Sequence, residues 1–124
     1  MIPKPSSAAE TKSRTEQIAE LNDRARHGLD NAARVIFTTN LLNELSDGSG
    51  RGDVVAQVRI MKAMRECEFS ADSPERDMAW FAVRGVRVMM KIDYYDANFE
   101  WGSEDPANAA ATRRAITLMR PEDY

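Results

Sequence analysis

Five acidic side chains lie close together in the last third of the sequence. They begin in an alternating apolar segment and continue into the connection that follows it: Asp93, Asp96, Glu100, Glu104 and Asp105. Hard cations such as Mg²⁺ take oxygen ligands, and paired carboxylates serve as general acid and base. Asp93, Asp96 and Glu104 therefore form a candidate divalent-metal site for a hydrolase or nuclease-like reaction. The spacing does not follow the calcium-loop pattern, so a structural role in turns and ion pairs is the competing interpretation.

Aromatic residues are interleaved with these acids. Phe99 and Trp101 flank Glu100 in the long connection that follows the alternating segment. Acidic and aromatic groups together are typical of protein interfaces, and they imitate the charge and the stacking of nucleic acid. The pattern favours a small non-enzymatic protein-binding module whose partner is a basic protein. We predict that its partner-binding residues are Asp96, Phe99, Glu100, Trp101, Glu104 and Asp105.

The sequence offers little material for other chemistry. Cys67 is the only cysteine and His27 the only histidine, which excludes a disulfide within the chain and a cysteine-based zinc site. The glycines of residues 47–53 do not have the spacing of a phosphate-binding loop. We therefore predict no catalytic residues and no cofactor.

Composition and charge restrict the class of protein. The chain has 124 residues, 43% hydrophobic and 30% charged, which is the composition of one globular domain. The formal net charge of −3 argues against a direct nucleic-acid binder, which would need a local basic stripe such as Arg59, Lys62 and Arg65. No apolar run is long enough to span a bilayer and no signal peptide is visible, so we expect a cytoplasmic protein with no membrane partner.

Local periodicity predicts the helices that would position the acidic segment. Residues 1–9 have no apolar period, which predicts a flexible tail before a single α+β domain of residues 10–124. Ser13 and Glu16 have capping-box spacing and predict a helix over residues 14–27, ended by Gly28.

A second helix is predicted after a flexible glycine-rich loop at residues 47–53. Asp53 is its expected N-cap, and the helix is expected to end near Cys67. Apolar residues at helical spacing predict its buried face: Val54, Val58, Met61 and Met64, widened by Val55 and Ile60.

Four strands are predicted, at residues 33–39, 78–83, 86–95 and 112–119. The third strand alternates strictly, so one set of its side chains should face the helices: Val86, Val88, Met90, Ile92 and Tyr94. Residues 40–45 fit a turn or a short helix, Asp105 and Pro106 suit a helix start, and residues 112–119 also fit a helix. The predicted fold class is α+β, in the order α-β-α-β-β-β. Two helices pack on one face of a mostly antiparallel sheet of about four strands.

Sequence motifs also indicate a family. Residues 91–96 (KIDYYD) and 102–106 (GSEDP), together with Thr117-Leu118-Met119, resemble domain-of-unknown-function family 3768, small proteins of alphaproteobacteria, their plasmids and phages. The resemblance implies no assigned activity. Its association with mobile elements implies a counter-defence inhibitor, of the anti-CRISPR or anti-restriction type, that binds a nucleic-acid-processing defence complex. Family members often carry E-H-D-F-G where this chain has residues 75–79, so Arg76 stands at the position of the family's histidine.

Overall fold

The structure is a computed structural model that describes residues 12–124, without the side chains of residues 50–52. The predicted flexible tail of residues 1–9 lies outside the described residues. The elements are α1 (Arg14–Arg26), β1 (Arg34–Phe37), α2 (Thr39–Leu45), α3 (Gly50–Glu66), β2 (Met78–Val83), β3 (Val86–Tyr95), β4 (Arg113–Met119) and a 3₁₀ helix (Pro121–Asp123). The α+β class is confirmed, with one more helix than the two that were predicted.

The four strands form one mixed sheet in the order β1-β4-β3-β2. β2, β3 and β4 pair antiparallel, and a two-residue turn at Arg84 and Gly85, both with positive φ, joins β2 to β3. β1 pairs with β4 in parallel, with Val35 opposite Ile116. The parallel pair is possible because a long crossover through two helices and a hairpin separates these strands. The strand expected at residues 112–119 is confirmed as β4, which lies inside the sheet with a partner on each side.

One face of the sheet carries the hydrophobic core. Val88, Met90 and Ile92 of β3 lie on this face and are at most 3% exposed, as the alternation predicted. They belong to one cluster that also takes side chains from all three helices, β2 and β4: Ala25, Leu41, Ile60, Met64, Ala79, Val83, Ile116 and Leu118. The helices therefore cover the same face and form the second layer of a two-layer fold.

Side-chain caps explain where the first two helices lie. Ser13 Oγ accepts a hydrogen bond from Glu16 N (3.1 Å) at the start of α1, and Gly28 follows its end with a φ of 74°. Thr38 Oγ1 accepts a hydrogen bond from Leu41 N (3.3 Å) at the start of α2. Leu41 is fully buried, and this burial together with the threonine cap selects the helix over the turn in residues 40–45.

The start of α3 corrects the sequence prediction. The helix begins at Gly50, inside the segment that was expected to be a flexible loop, so Asp53 is not the N-cap. Asp53 N donates to Ser49 O (3.1 Å) and its carboxylate lies in the first turn, where the helix dipole favours a negative charge. α3 has 17 residues, and no helix in the described part of the chain is long and apolar enough to cross a membrane.

The prediction of which face of α3 is buried was also wrong in part. Ala56, Ile60 and Met64, spaced four residues apart, are at most 1% exposed, whereas Val54 and Val58 are 61% and 60% exposed. The prediction gave weight to bulky apolar residues. The structure uses a small alanine instead, because it lets the helix approach its neighbours closely.

The second face of the sheet has a mixed character. Trp80 and Ile36 lie on this face and are 49% and 46% exposed. Arg87 Cζ lies 5.8 Å from the centroid of the Trp80 ring. Met89 and Met119 pair across β3 and β4 on the same face and are buried, at 0% and 5% exposed. This face therefore combines a small apolar patch with arginine and aromatic side chains.

Candidate functional site

We call residues 96–105 the acidic loop; it leaves the end of β3 on the way to β4. The loop folds back onto the strand, because Ser103 N donates to Tyr94 O (3.0 Å) and Tyr95 forms an isolated bridge with Gly102. Asp96 N donates to Trp101 O (2.8 Å), which closes residues 97–100 into a tight tip. The acidic loop is thus an ordered extension of the sheet.

Asp96 holds the tip of the acidic loop together. Its Oδ1 accepts hydrogen bonds from Glu100 N (3.0 Å) and Asn98 N (3.1 Å). These backbone donors, Glu100 N above all, hold the pKa of Asp96 below its usual value. The turn also places Phe99 at a φ of 56°, a region that non-glycine residues rarely adopt. Asp96 therefore has the turn-forming role that the sequence left open.

The two aromatic residues of the acidic loop have different surroundings. Phe99 is half-buried, with Arg34 Cζ 3.7 Å from its ring centroid and the Tyr95 ring at 5.9 Å. It ties the tip to β1. Trp101 is 74% exposed and so does not cover the sheet. A large exposed aromatic side chain on a well-anchored loop is a typical feature of a binding surface.

A recess of about 440 Å³ lies beside Trp101. Its lining includes Asp96, Glu104 and Asp105, together with Ser103. An indole face attracts a cation, and carboxylates pair with one through charge-assisted hydrogen bonds. The recess therefore has the chemistry to take an arginine or lysine side chain.

The far end of the acidic loop is fixed to α1 and to Thr112, the residue before β4. Asp105 pairs with Arg14 (3.0 Å), and its carbonyl accepts from Thr112 Oγ1 (2.8 Å). The hydroxyls of Thr112 and Ser103 lie 2.6 Å apart. The helix expected at Asp105 and Pro106 is not formed; the chain turns there instead. Because both ends are held, the loop loses little conformational entropy when it binds a partner.

Two of the three acids proposed as a metal site are engaged by other groups. Asp93 pairs with Lys91 (3.1 Å) along β3, Asp96 accepts from the loop backbone, and Glu104 lies at the recess. Across residues 12–124, no three histidine, cysteine or acidic side chains are placed to hold a metal ion. The geometry therefore gives no support to a metal-dependent hydrolase built on Asp93, Asp96 and Glu104.

A buried polar network behind the acidic loop was missed by the sequence analysis. Asn22 of α1 is fully buried, and its Nδ2 donates to Tyr94 Oη (2.8 Å) and to Glu75 O (2.9 Å). Tyr94 Oη donates to Glu75 Oε1 (2.9 Å), and burial raises the pKa of this tyrosine. Arg114 Nε donates to Asn22 Oδ1 (2.6 Å). The network joins α1, β3 and β4, and apolar periodicity contains no signal for it.

Asp23 of α1 binds two arginines. Arg26 Nη2 lies 2.6 Å from Asp23 Oδ1, and Arg76 donates to both carboxylate oxygens (2.9 and 2.6 Å). Burial by itself would raise the pKa of Asp23, but the hydrogen bonds from Arg76 and Arg26 outweigh it and hold the pKa below its usual value. The pair with Arg76 attaches α1 to the connection between α3 and β2, whereas the pair with Arg26 lies within α1.

The environments of the single cysteine and the single histidine are those of structural residues. Cys67 is half-buried, its Sγ donates to Met64 O (3.1 Å), and burial raises the pKa of the thiol, the opposite of an activated thiolate. His27 is exposed at the C-cap of α1, with Nδ1 2.7 Å from Asp23 O.

The basic stripe considered for nucleic acid lies on α3. Its three side chains, Arg59, Lys62 and Arg65, are exposed. Glu66 lies 3.9 Å from Lys62, and the exposed Val58 precedes Arg59. The surface of α3 therefore mixes both charges with apolar groups, and the stripe is not a continuous basic surface.

Comparison with known families agrees with the sequence motifs. The family model described as Protein of unknown function (DUF3768) matches residues 38–123, more than half of the chain. The chain belongs to this family. In this DUF3768 protein the match runs from the cap of α2 to the 3₁₀ helix and leaves α1 outside. No curated protein and no solved structure matches the chain.

In this DUF3768 protein, an arginine with a structural role stands where the resemblance places a histidine in other family members. Arg76 stands there, with a φ of 55°, and pairs with Asp23 of α1. Its partner lies outside the matched residues. The arginine therefore connects the matched region to the helix that precedes it.

Proposed function

We propose that this DUF3768 protein is a small non-enzymatic protein-binding module that uses the acidic loop to bind a basic protein. The observation that carries the proposal is Trp101, 74% exposed beside a recess lined by three acidic residues. The binding residues are those predicted from the sequence: Asp96, Phe99, Glu100, Trp101, Glu104 and Asp105.

These residues contribute in different ways. Asp96 and Phe99 hold the tip, and Asp105 holds the base through Arg14. Trp101 supplies the main contact, since tryptophan is enriched among residues whose truncation costs at least ~2 kcal/mol of binding free energy. The exposed Glu100 and Glu104 mainly speed the encounter with a basic partner, so their effect weakens as salt increases.

A nucleic-acid-processing protein is the partner class that fits this loop. Such proteins have basic grooves that take phosphates and stack bases on aromatic side chains. In that groove, the carboxylates of the loop would take the positions of nucleic-acid phosphates, and the Trp101 ring would take the position of a base. The finer form of the proposal is therefore a counter-defence inhibitor, of the anti-CRISPR or anti-restriction type, that occupies the groove of a defence complex.

The test compares two loop variants with two matched controls. Trp101→Ala removes the proposed contact, and Trp80→Ala removes the other tryptophan, which is 49% exposed on the second sheet face. Glu100→Lys reverses a loop charge, and Glu68→Lys reverses an exposed charge outside the loop. Partners are captured from an extract of the native host, identified, and titrated against each variant at low and at high salt.

We expect all four variants to keep the wild-type circular dichroism spectrum. Trp101→Ala should weaken partner binding at least about 30-fold, and Glu100→Lys should weaken it mainly at low salt. The controls should bind as the wild type does. The proposal is wrong if both loop variants retain full affinity, or if Trp80→Ala alone abolishes binding, which would move the site to the second sheet face.

A further inference from the structure

A second recess, with no lining residue from the acidic loop, lies between the α1–β1 connection and the start of β4. Its volume is about 180 Å³. Three arginines line it, Arg24, Arg113 and Arg114, whereas Asp30 is its one acidic lining residue. This concentration of positive charge occurs in a chain whose formal net charge is −3.

Arg114 is the buried member of this group. It is 1% exposed, and arginine keeps its charge inside proteins. Burial lowers the pKa of Arg114 below its ordinary value, although Tyr94, Asp30 and Glu75 act electrostatically in the opposite direction. None of the salt bridges formed within residues 12–124 involves Arg114. A buried cation is normally paired with an anion, because removing it from water is costly.

Neutral groups accept hydrogen bonds from only some of the N–H donors of the Arg114 guanidinium. Nε donates to Asn22 Oδ1 and Nη2 donates to Pro106 O, both at 2.6 Å, and Cζ lies 5.1 Å from the Tyr94 ring centroid. A guanidinium has more N–H donors than these two bonds use. No side chain or carbonyl among the described residues accepts a bond from Nη1. An anion in the recess would complete the set.

The other two arginines are also free of carboxylates. Arg24 Nη2 donates to Leu29 O and Arg113 Nη1 donates to Thr112 O, each at the long distance of 3.3 Å. Asp30 Oδ1 accepts from Ala32 N (3.0 Å), and in the described chain Asp30 forms no ion pair with the arginines. Each of the three guanidinium groups therefore retains N–H donors that no carboxylate among the described residues occupies.

We propose that this recess is an anion-binding site that takes a phosphate group, either free or as the terminal phosphomonoester of a small molecule. Planar guanidinium groups match the oxygens of phosphate and carboxylate. A phosphomonoester carries about 1.5–2 negative charges at pH 7, which matches three arginines and one aspartate better than a single carboxylate does. The volume is below the roughly 300–1,000 Å³ of drug-sized sites, so one phosphate group enters and the rest of the ligand stays outside.

The test uses inorganic phosphate, acetate and chloride at equal ionic strength, with calorimetry and thermal melting of the full chain. Phosphate should bind and raise the melting temperature, because it binds the folded state alone, whereas acetate and chloride should not. Ribose 5-phosphate separates the two sources. If ribose 5-phosphate binds more tightly than inorganic phosphate, the site takes the terminal phosphate of a larger molecule. If inorganic phosphate binds and ribose 5-phosphate does not, the site takes the free ion.

Variants distinguish specific binding of phosphate in this recess from a nonspecific ionic effect on the whole protein. Arg24→Gln and Arg113→Gln should each weaken phosphate binding about tenfold or more, and Asp30→Asn should strengthen it. Arg59→Gln, an exposed arginine on α3, is the control and should leave binding unchanged. Arg114→Gln is less informative, because it also breaks the bonds to Asn22 and Pro106. The proposal is overturned if acetate and phosphate give equal shifts, or if Arg24→Gln and Arg113→Gln bind phosphate as tightly as the wild type.

Discussion

Met90 is the single residue that tests the core most directly. It is fully buried, between Ala79 of β2 and Leu118 of β4 in the sheet register. Met90→Ala should lower the free energy of unfolding by about 2–5 kcal/mol, because it removes buried methylenes and leaves a cavity. Urea denaturation measures the change. Val58→Ala, on the exposed side of α3, is the control and should stay within about 0.5 kcal/mol. A change that small for Met90→Ala would contradict the assigned face.

The ion pairs of Asp23 predict a pH dependence. Burial opposes its charge, but Arg76 and Arg26 hold its pKa below the unfolded value of about 3.9. A lowered folded pKa means that the stabilisation is complete above about pH 5 and is lost as the pH falls through the folded pKa.

Asp23→Asn should therefore lower the free energy of unfolding by about 1–3 kcal/mol at neutral pH, a range kept low because a third of the side chain is exposed. Urea melts at a series of pH values should show the difference from the wild type shrinking below about pH 4. A difference that stays constant between neutral and acidic pH would show that the charge of Asp23 is not what stabilises the fold.

At the scale of elements, the order of the acidic loop depends on Asp96. Asp96→Ala removes the acceptor for Asn98 N and Glu100 N, so these amides should exchange with solvent about tenfold faster. The amides of β3 from Val88 to Ile92 should keep their protection. Glu100→Ala, which removes a carboxylate from the same loop, is the control. Equal hydrogen exchange in the two variants would mean that the Asp96 side chain does not order the tip.

At the scale of the whole molecule, residues 1–9 are predicted to be dispensable for folding, because their composition offers no apolar surface to bury. A chain that begins at Thr11 keeps Lys12, which pairs with Glu20 (2.7 Å). Its melting temperature should lie within about two degrees of the full chain by calorimetry. A drop of several degrees would show that the segment packs against the domain.

The charge of the whole molecule conceals its distribution. The formal net charge of −3 averages the acidic loop, with Asp96, Glu100, Glu104 and Asp105, against a recess that three arginines line. The net charge alone would predict a protein with one acidic surface. Tertiary structure separates the two signs, because strands and loops bring together residues that are distant in the chain.

Local features of the sequence determined most of the secondary structure. The alternation of residues 86–95 predicted β3 and its buried face. Ser13 and Gly28 predicted both ends of α1. Each of these features acts over a few residues, through side-chain alternation, capping hydrogen bonds or positive φ, so it is visible without knowledge of the fold.

Tertiary structure alone decided the features that depend on distant contacts. The parallel pairing of β1 with β4 and the choice of Ala56 over Val58 for the buried side of α3 follow from how the layers pack. Asn22 and Arg114 are 92 positions apart in the chain, and no local pattern predicts their buried bond. A polar side chain is stable in the interior only where a partner from another element meets it, and that meeting exists only in the folded chain.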